Sequence, residues 1–182
     1  MKKDTRELLL DSGFKEFYKN GYQGASVATI LNEVGINKGS MYHFFKSKKA
    51  LAIAVIRERI YKNLELKYTN ILETENSFEL LFETLGLAIE TLKYGCPLNK
   101  MSQEMVYLDA DFSEELSKVY NMFESLVKQI LLRRQKKMMV EVDALSTARL
   151  IISTYEGALM MYHLNQDKSS FQGVLNNLKK KL

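Results

Sequence analysis

Hydrophobic residues recur at helical spacing along almost the whole chain. Between Val27 and Val34 the apolar positions return every three or four residues, which gives that stretch one apolar face. The same spacing predicts a first helix over residues 4–20, which Gly21 ends. Because Leu, Glu, Lys, Met and Ala dominate between sparse breaking residues, we expect secondary structure that is almost entirely helical.

The rest of the chain shows the same pattern over longer stretches. A helix from Lys48 to about Leu72 is apolar nearly all round in its first half and amphipathic in its second. Asn76-Ser77, the only proline and an Asp-Ala-Asp loop at 109–111 separate the helices that follow. Their predicted spans are 78–94, 98–107, about 112–137, 142–165 and 168–181. The sequence therefore predicts an all-α fold of about nine helices.

Two of the predicted helices are too short to be stable alone. Gly35 follows the first of them and suits the left-handed conformation that ends a helix. Asn37 is then a good N-cap for a second helix, 38–45. Helices of about eight residues must be held by their neighbours. An apolar short helix, a glycine turn and a polar second helix together predict a helix-turn-helix.

The outer face of the second short helix carries groups that suit DNA. Phosphates and base edges are recognised through hydrogen bonds, and a glycine lets a backbone come close. The predicted DNA-facing residues of this helix are Asn37, Lys38, Gly39, Ser40, Tyr42 and His43.

Lys48 and Lys49 stand in the first turn of the next helix, after the cap Ser47. The helix dipole disfavours cations there. Their position makes sense if a phosphate docks at this end and shares the lysine side chains with the helix N–H groups. The alternative is two solvated lysines that follow a loop; beside a helix-turn-helix we prefer the phosphate interpretation.

A specific pattern runs through this region. It comprises Phe17, Gly21 and Tyr22, then Ser26-Val27, Ile30 and Gly35, and the run KGSMYHFFKSKKAL from Lys38. In these residues, about 5 to 55, the chain resembles the DNA-binding region of the TetR family of bacterial transcriptional regulators. It departs from the family pattern mildly, with Asn37 in place of the usual Ser or Thr cap and Lys49 where an acid is common.

The resemblance implies a homodimeric repressor that binds a palindromic operator and is released when a small-molecule effector enters the helical body. It implies an N-terminal helix-turn-helix DNA-binding domain, 1–46, followed by a ligand-binding and dimerisation domain, 47–182. Ser26, Tyr42 and Lys48 would contact phosphates. Lys38, Ser40 and His43 would face bases or nearby phosphates. Ligand binding would shift the helix that starts at Lys48 and change the spacing of the two recognition helices.

Charge and cysteine content fit this interpretation. The first 50 residues hold nine Lys and Arg against five Asp and Glu, and the remainder is balanced, so the net charge of +4 lies in the helix-turn-helix region. Lys2 and Lys3 could reach a phosphate or the minor groove, but we prefer to interpret them as a disordered basic tail. The basic run 133–137 is interpreted as a solvated helix end. One cysteine excludes an internal disulfide. With a polar N-terminus and no long apolar run, we expect a cytoplasmic protein without a membrane partner.

The helix 142–165 is apolar on all faces, so its own bundle does not account for all of its burial. Small residues four positions apart would let another helix approach closely. We interpret this helix, with the last one, as half core and half isologous dimer interface. The predicted interface residues are Ser153, Gly157, Ala158, Met161, Phe171 and Leu175.

Methionine and tyrosine are frequent in the second part of the chain. Methionine can supply an adaptable wall to a cavity and tyrosine a polar handle, although plain core packing explains any single one of them. The predicted effector-binding residues are Met101, Met105, Tyr120, Phe123, Tyr155 and Leu159. Cys96, beside Pro97, leaves open a thiol-based sensor built on the same body, or simply a small buried hydrophobe.

No catalytic constellation is visible in the sequence. His43 and His163 have no Cys or Asp at ligand spacing, and there is no glycine-rich phosphate loop. We therefore expect neither a metal site, nor a cofactor, nor an enzyme. A protein that binds small molecules and no longer binds DNA remains a second possibility, against which Gly39, Tyr42 and Lys48 argue.

Overall fold

The computed structural model describes residues 4–138 and 143–182, and these residues form helices and no strand. Ile56–Tyr61 forms a π-helical turn between the helices Lys48–Val55 and Lys62–Glu73. The helices are α1 (Thr5–Gly24), α2 (Val27–Val34), α3 (Lys38–Phe44), α4 (Lys48–Val55), α5 (Lys62–Glu73), α6 (Ser77–Gly86), α7 (Ala88–Thr91), α8 (Pro97–Met105), α9 (Ala110–Met138), α10 (Ala144–Asn165) and α11 (Lys168–Lys181). The all-α prediction is confirmed, and Lys2 and Lys3 lie outside the described residues.

Helix boundaries differ from the prediction at two places. The helix expected over 78–94 is divided, since α6 ends at Gly86 and α7 ends at Thr91. Between them Leu87 has φ −78° and ψ −6°, beside a glycine that favours helix poorly. The loop expected at 109–111 is instead the start of α9. The Asp109 carboxylate accepts the amides of Asp111 at 3.0 Å and Phe112 at 3.4 Å, as an N-cap does.

The chain folds as two compact units. The first comprises the residues up to Asn63 together with Pro97–Val119, and the second comprises Leu64–Cys96 and Tyr120–Leu182. The first unit therefore contains the helix-turn-helix, α8 and the start of α9. The predicted boundary at residue 46 is a functional division and stays a prediction.

The core of the first unit is formed by side chains that are at most 2% exposed. They include Leu9, Leu10, Phe17, Ile30, Met41, Leu51, Val55, Phe112 and Leu116. Ion pairs hold the π-helical turn in place from two sides. Arg59 bonds Asp11 at 2.7 Å and Glu7 at 2.8 Å, and Arg57 bonds the buried Glu115 at 2.7 Å. The direction of α4 is thus fixed to α1 and to the start of α9.

Glu115 gives the first unit a pH-dependent contribution to stability. Hydrogen bonds from Arg57, and then from Lys118, lower its pKa from the ordinary 4.5 to about 2. A carboxylate whose pKa is lower in the folded state stabilises fully above its unfolded pKa, and that contribution is lost as pH falls from about 4.5 towards 2. We expect Glu115→Gln to lower the unfolding temperature near neutral pH. The difference in unfolding temperature between the variant and the wild type should shrink as pH falls from about 4.5 towards 2.

Thermal unfolding followed by circular dichroism across this pH range measures the effect. Glu114→Gln is the matched control, because it removes the same charge from an exposed side chain. The Glu114 carboxylate lies 2.7 Å from the Lys118 ammonium. A gap between wild type and Glu115→Gln that stays constant with pH would show that the Arg57 pair does not set this dependence.

The second unit has its own apolar core between α5, α6, α9, α10 and α11. Tyr68 and Phe123 pack with ring centroids 4.5 Å apart at its centre. The basic run at the end of α9 was predicted to be solvated; Arg133 is exposed as predicted, but Arg134 is half-buried, so for Arg134 the prediction is wrong. Arg133 donates to the carbonyl oxygen of Leu72, and the Arg134 guanidinium lies 3.6 Å from the Phe78 ring centroid. Both arginines thus stabilise the second unit.

Candidate nucleic-acid interface

The helix-turn-helix is built by local capping at every end. The Ser26 hydroxyl accepts the Thr29 amide at 3.4 Å at the start of α2. Gly35 ends that helix at φ 76°, ψ 34°, a conformation that L side chains rarely adopt. Asn37 then caps α3 by accepting the Ser40 amide at 2.8 Å. The predicted caps Asn37 and Ser47 and the predicted turn at Gly35 are confirmed, and the Ser26 cap was not predicted.

Helix α3 buries very little of itself. Met41 is fully buried, and Phe45 at the C-cap is 5% exposed. These two side chains attach α3 to the unit, so its remaining surface is presented outwards. Among the residues predicted to face DNA, Asn37, Lys38, Gly39, Tyr42 and His43 are exposed, as is Ser26, and Ser40 is half-buried. Six of these residues are therefore exposed, and we call the cap Asn37 together with Lys38, Gly39, Ser40, Tyr42 and His43 the α3 surface.

The α3 surface has no acid of its own. Residues 36–48 contain three lysines and no Asp or Glu. The acid on α2, Glu33, accepts hydrogen bonds from Lys15 at 2.6 Å and Ser12 at 2.7 Å, which lower its pKa. The Lys38 ammonium lies 5.8 Å from the Tyr42 ring centroid. An outward face of amide, hydroxyl, imidazole and ammonium groups suits a polyanion.

Lys48 and Lys49 have different surroundings. The Lys48 ammonium lies 4.8 Å from the Tyr22 ring centroid and donates to the Gln23 carbonyl oxygen at 3.4 Å. Lys49 instead bonds Asp109 at 2.7 Å and Asp111 at 2.8 Å, which raise its pKa in that order. The phosphate interpretation of Lys49 is therefore replaced by an ion pair within the fold, and only Lys48 remains a candidate.

Two substitutions of Asn37 can distinguish its role as the cap of α3 from a contact with a DNA base. Asn37→Ala removes the acceptor of the Ser40 amide, and we expect it to cost about 1 kcal/mol of stability in the first unit. Asn37→Ser restores a capping oxygen and should return the stability. If the serine variant is stable but binds DNA differently, the Asn37 amide also contacts DNA. Equal stability of the alanine variant and the wild type in urea unfolding would contradict the capping role.

The residues predicted to bind an effector are divided between the two units. Met101 and Met105 are buried in the first unit. In the second unit Phe123, Tyr155 and Leu159 are buried in its core, and Tyr120 is 38% exposed. A cavity of about 810 Å³ beside the start of α6 and one of about 580 Å³ between α6 and α11 are lined by other residues. The effector site therefore stays a prediction.

The predicted dimer residues separate into a buried and an exposed group. Ala158, Phe171 and Leu175 are at most 6% exposed and pack in the core of the second unit. Ser153, Gly157 and Met161 face outwards on α10. They lie among apolar side chains that one chain leaves uncovered: Leu150 is 51% exposed, Met160 52%, Met161 57% and Leu164 80%. Only the exposed group is placed to form an interface.

The remaining predicted features are structural. Within residues 4–138 and 143–182 no group of three or more His, Cys, Asp and Glu side chains is placed to hold a metal. No helix of this described part combines the length and the apolar character that crossing a membrane requires. Cys96 is half-buried and packs against the core of the second unit. Burial lowers the pKa of the nearby Lys67.

Two acids that bind backbone amides between Tyr22 and Ser26 were not expected from the sequence. Glu104 accepts the amides of Tyr22 and Gln23, and Glu16 accepts the amide of Ser26. The Glu104 contacts join residues more than 80 positions apart, so no local pattern predicts them.

Comparison with known proteins agrees with this architecture. Residues 9–55 match the model of the bacterial regulatory proteins of the tetR family. Residues 83–177 match that of the LmrA/YxaF-like transcriptional regulator C-terminal domain. An HTH-type transcriptional regulator of Lactococcus lactis subsp. lactis, from the lacX 3′ region, is 30% identical over 97% of this chain and 92% of its own length.

Two further comparisons extend over nearly the whole chain. The HTH-type transcriptional repressor NemR of Escherichia coli K12 is 25% identical over 97% of this chain and 92% of its own. The crystal structure of E. coli NemR in its reduced form superposes with a TM-score of 0.88 at 22% identity, covering 98% of this chain and 96% of that one. The shared fold, the two matching family models and the capped helix-turn-helix lead to one assignment: this chain belongs to the TetR family of bacterial transcriptional regulators.

Proposed function

We propose that the protein is a homodimeric repressor that binds a palindromic operator and leaves it when a small molecule binds the helical body. The observation that supports DNA binding most directly is the α3 surface, which is accessible, capped at both ends and free of acids. Lys38, Ser40 and His43 would face base edges. Ser26, Tyr42 and Lys48 would bind phosphates beside them.

Dimerisation is supported by the uncovered apolar face of α10. Side chains such as Met161 and Leu164, 57% and 80% exposed, are disfavoured in water unless another surface covers them. In an isologous contact the same face of each copy covers that face of the other copy. Two α3 helices held about 34 Å apart enter successive major grooves, which accounts for a palindromic operator.

Release by a ligand follows from the same geometry. Regulators of the TetR family bind operators and small-molecule effectors, typically as dimers. An effector releases DNA only if it binds the non-DNA form better than the DNA-bound form. A shift of α4, which starts at Lys48, would change the spacing of the two α3 helices. The comparisons do not specifically favour the thiol-sensor alternative through Cys96.

A direct test is binding of the purified protein to DNA upstream of its own gene, with random competitor, at two salt concentrations. We expect saturable binding that survives the competitor and weakens steeply with salt, because Lys side chains displace counterions from phosphates. Binding that competitor abolishes on every fragment tested, including the flanking regions of neighbouring genes, would overturn the proposed repressor.

A further inference from the structure

Helix α1 is broken at Gly21, next to the DNA-facing region. Gly21 has φ 73° and ψ 174°, so the helical ladder stops there and one more turn follows up to Gly24. A broken ladder leaves amide donors after the break and carbonyl acceptors before it without helical partners. We call the residues from this break to the start of α2 the 21–26 segment.

Helix α8 supplies partners on both sides of the break. The Glu104 carboxylate accepts the amides of Tyr22 at 2.7 Å and Gln23 at 2.5 Å. One turn earlier on α8, the Lys100 ammonium donates to the carbonyl oxygens of Tyr18 at 3.0 Å and Lys19 at 2.9 Å. Two charged side chains at i and i+4 thus satisfy four backbone groups of α1.

The positive φ at the break favours glycine at position 21, and any Cβ there would displace the Glu104 carboxylate. A Cβ on Gly21 would lie 2.6 Å from Glu104 Oε2, and the positive φ disfavours any L side chain there. The glycine, the break and the carboxylate are therefore parts of one arrangement.

Two residues of the 21–26 segment contact the side chain of Lys48. The Gln23 carbonyl oxygen accepts from the Lys48 ammonium at 3.4 Å, and the Tyr22 ring lies 4.8 Å from it. At the far end of the segment the buried Glu16 accepts the Ser26 amide at 2.9 Å. The groups that orient Lys48 are those whose amides Glu104 holds.

If charge alone mattered, Glu104 would weaken DNA binding. A carboxylate beside a surface that faces phosphates repels DNA, so its removal should tighten binding. If instead the carboxylate holds the amides of Tyr22 and Gln23, its removal frees the Lys48 ammonium to adopt many orientations. DNA binding should then become weaker. The sign of the effect therefore separates the two explanations.

We propose that Glu104 is a positioning residue for DNA binding. By holding the amides of Tyr22 and Gln23, it fixes the ring and the carbonyl that orient the Lys48 ammonium towards a phosphate. The inference rests on the proposed role of Lys48 as a phosphate contact.

The test is a double-mutant cycle between Glu104→Gln and Lys48→Ala, with binding to a random-sequence duplex of about 30 base pairs measured at several salt concentrations. Glutamine keeps the size of the side chain but offers a single oxygen to two amides. We expect Glu104→Gln to weaken binding roughly 5- to 10-fold and to flatten its salt dependence. In the Lys48→Ala background the same change should have no further weakening effect.

Glu114→Gln is the matched control, because it removes the same charge from an exposed side chain of the first unit. We expect it to bind as tightly as the wild type or slightly tighter. If Lys48→Ala leaves the salt dependence unchanged, the phosphate contact is wrong and the role of Glu104 falls with it. If Lys48→Ala flattens the salt dependence but Glu104→Gln tightens binding, or weakens it equally in both backgrounds, only the positioning role is overturned.

Amide exchange in the unmodified protein gives a second measurement that needs no variant. The amides of Tyr22 and Gln23 should exchange slowly in nuclear magnetic resonance spectra, although the helical ladder ends at Gly21. Exchange as fast as in an exposed loop would show that Glu104 does not hold them in solution and would overturn the proposal.

Discussion

A Gly157→Glu variant is expected to be monomeric and to lose roughly 10²- to 10⁴-fold in affinity for a two-site operator. Gly157 is exposed on α10, and a Cβ built there meets no atom within 4 Å. The protomer therefore has room for the new side chain, and a helix interior favours glutamate over glycine. The expected loss comes from burying a carboxylate in the contact between two copies.

Sedimentation equilibrium and operator binding measure the two parts of this prediction. Gly86→Glu is the matched control. Gly86 is the last residue of α6, a Cβ built there also meets no atom within 4 Å, and the substitution adds the same charge outside the predicted interface. The control should remain dimeric. A Gly157→Glu protein that sediments as the wild-type dimer would show that α10 does not form the interface.

Replacing Lys48 by alanine is expected to weaken binding to all DNA sequences alike, by roughly 10²-fold for the dimer. The estimate takes about 1.5 kcal/mol for a charge-assisted hydrogen bond to phosphate in each of two protomers. Since each contact displaces counterions, the slope of log affinity against log salt should fall by about 2. Lys49 bonds the carboxylates of Asp109 and Asp111, whereas the Lys48 ammonium donates to a neutral acceptor, the Gln23 carbonyl oxygen.

Titrations with operator and with random duplex at several salt concentrations measure both quantities. Lys62→Ala is the control, because Lys62 is an exposed lysine on α5 and its removal changes the net charge equally. A change confined to sequence preference, with an unchanged salt slope, would assign Lys48 to base contact and contradict the phosphate role.

Local patterns were sufficient to predict the helix-turn-helix. Gly35 and the caps Ser26, Asn37 and Ser47 act on backbone groups within about four residues, so their effect is present in the sequence itself. The start of α9 at Asp109 was predictable from the same rule, and the prediction of a loop there missed a capping aspartate.

Apolar patterns predicted which helices are buried, but they did not predict which face of each helix packs inwards. Helix α10 is apolar on all faces, so its sequence does not say that Ala158 packs inwards while Gly157 and Met161 remain exposed. The same holds for Phe171 and Leu175 on α11, which the fold uses for its own core. Only the packing of neighbouring helices decides this.

The sequence by itself determined the family, the all-α fold and the helix-turn-helix, because those depend on periodicity and on caps a few residues apart. The tertiary structure decided which charged groups are paired within the fold. It paired Lys49 with Asp109 and Asp111, Arg57 with Glu115, and the amides of Tyr22 and Gln23 with Glu104. Such pairs join residues tens of positions apart, and their distances exist only after the helices have packed.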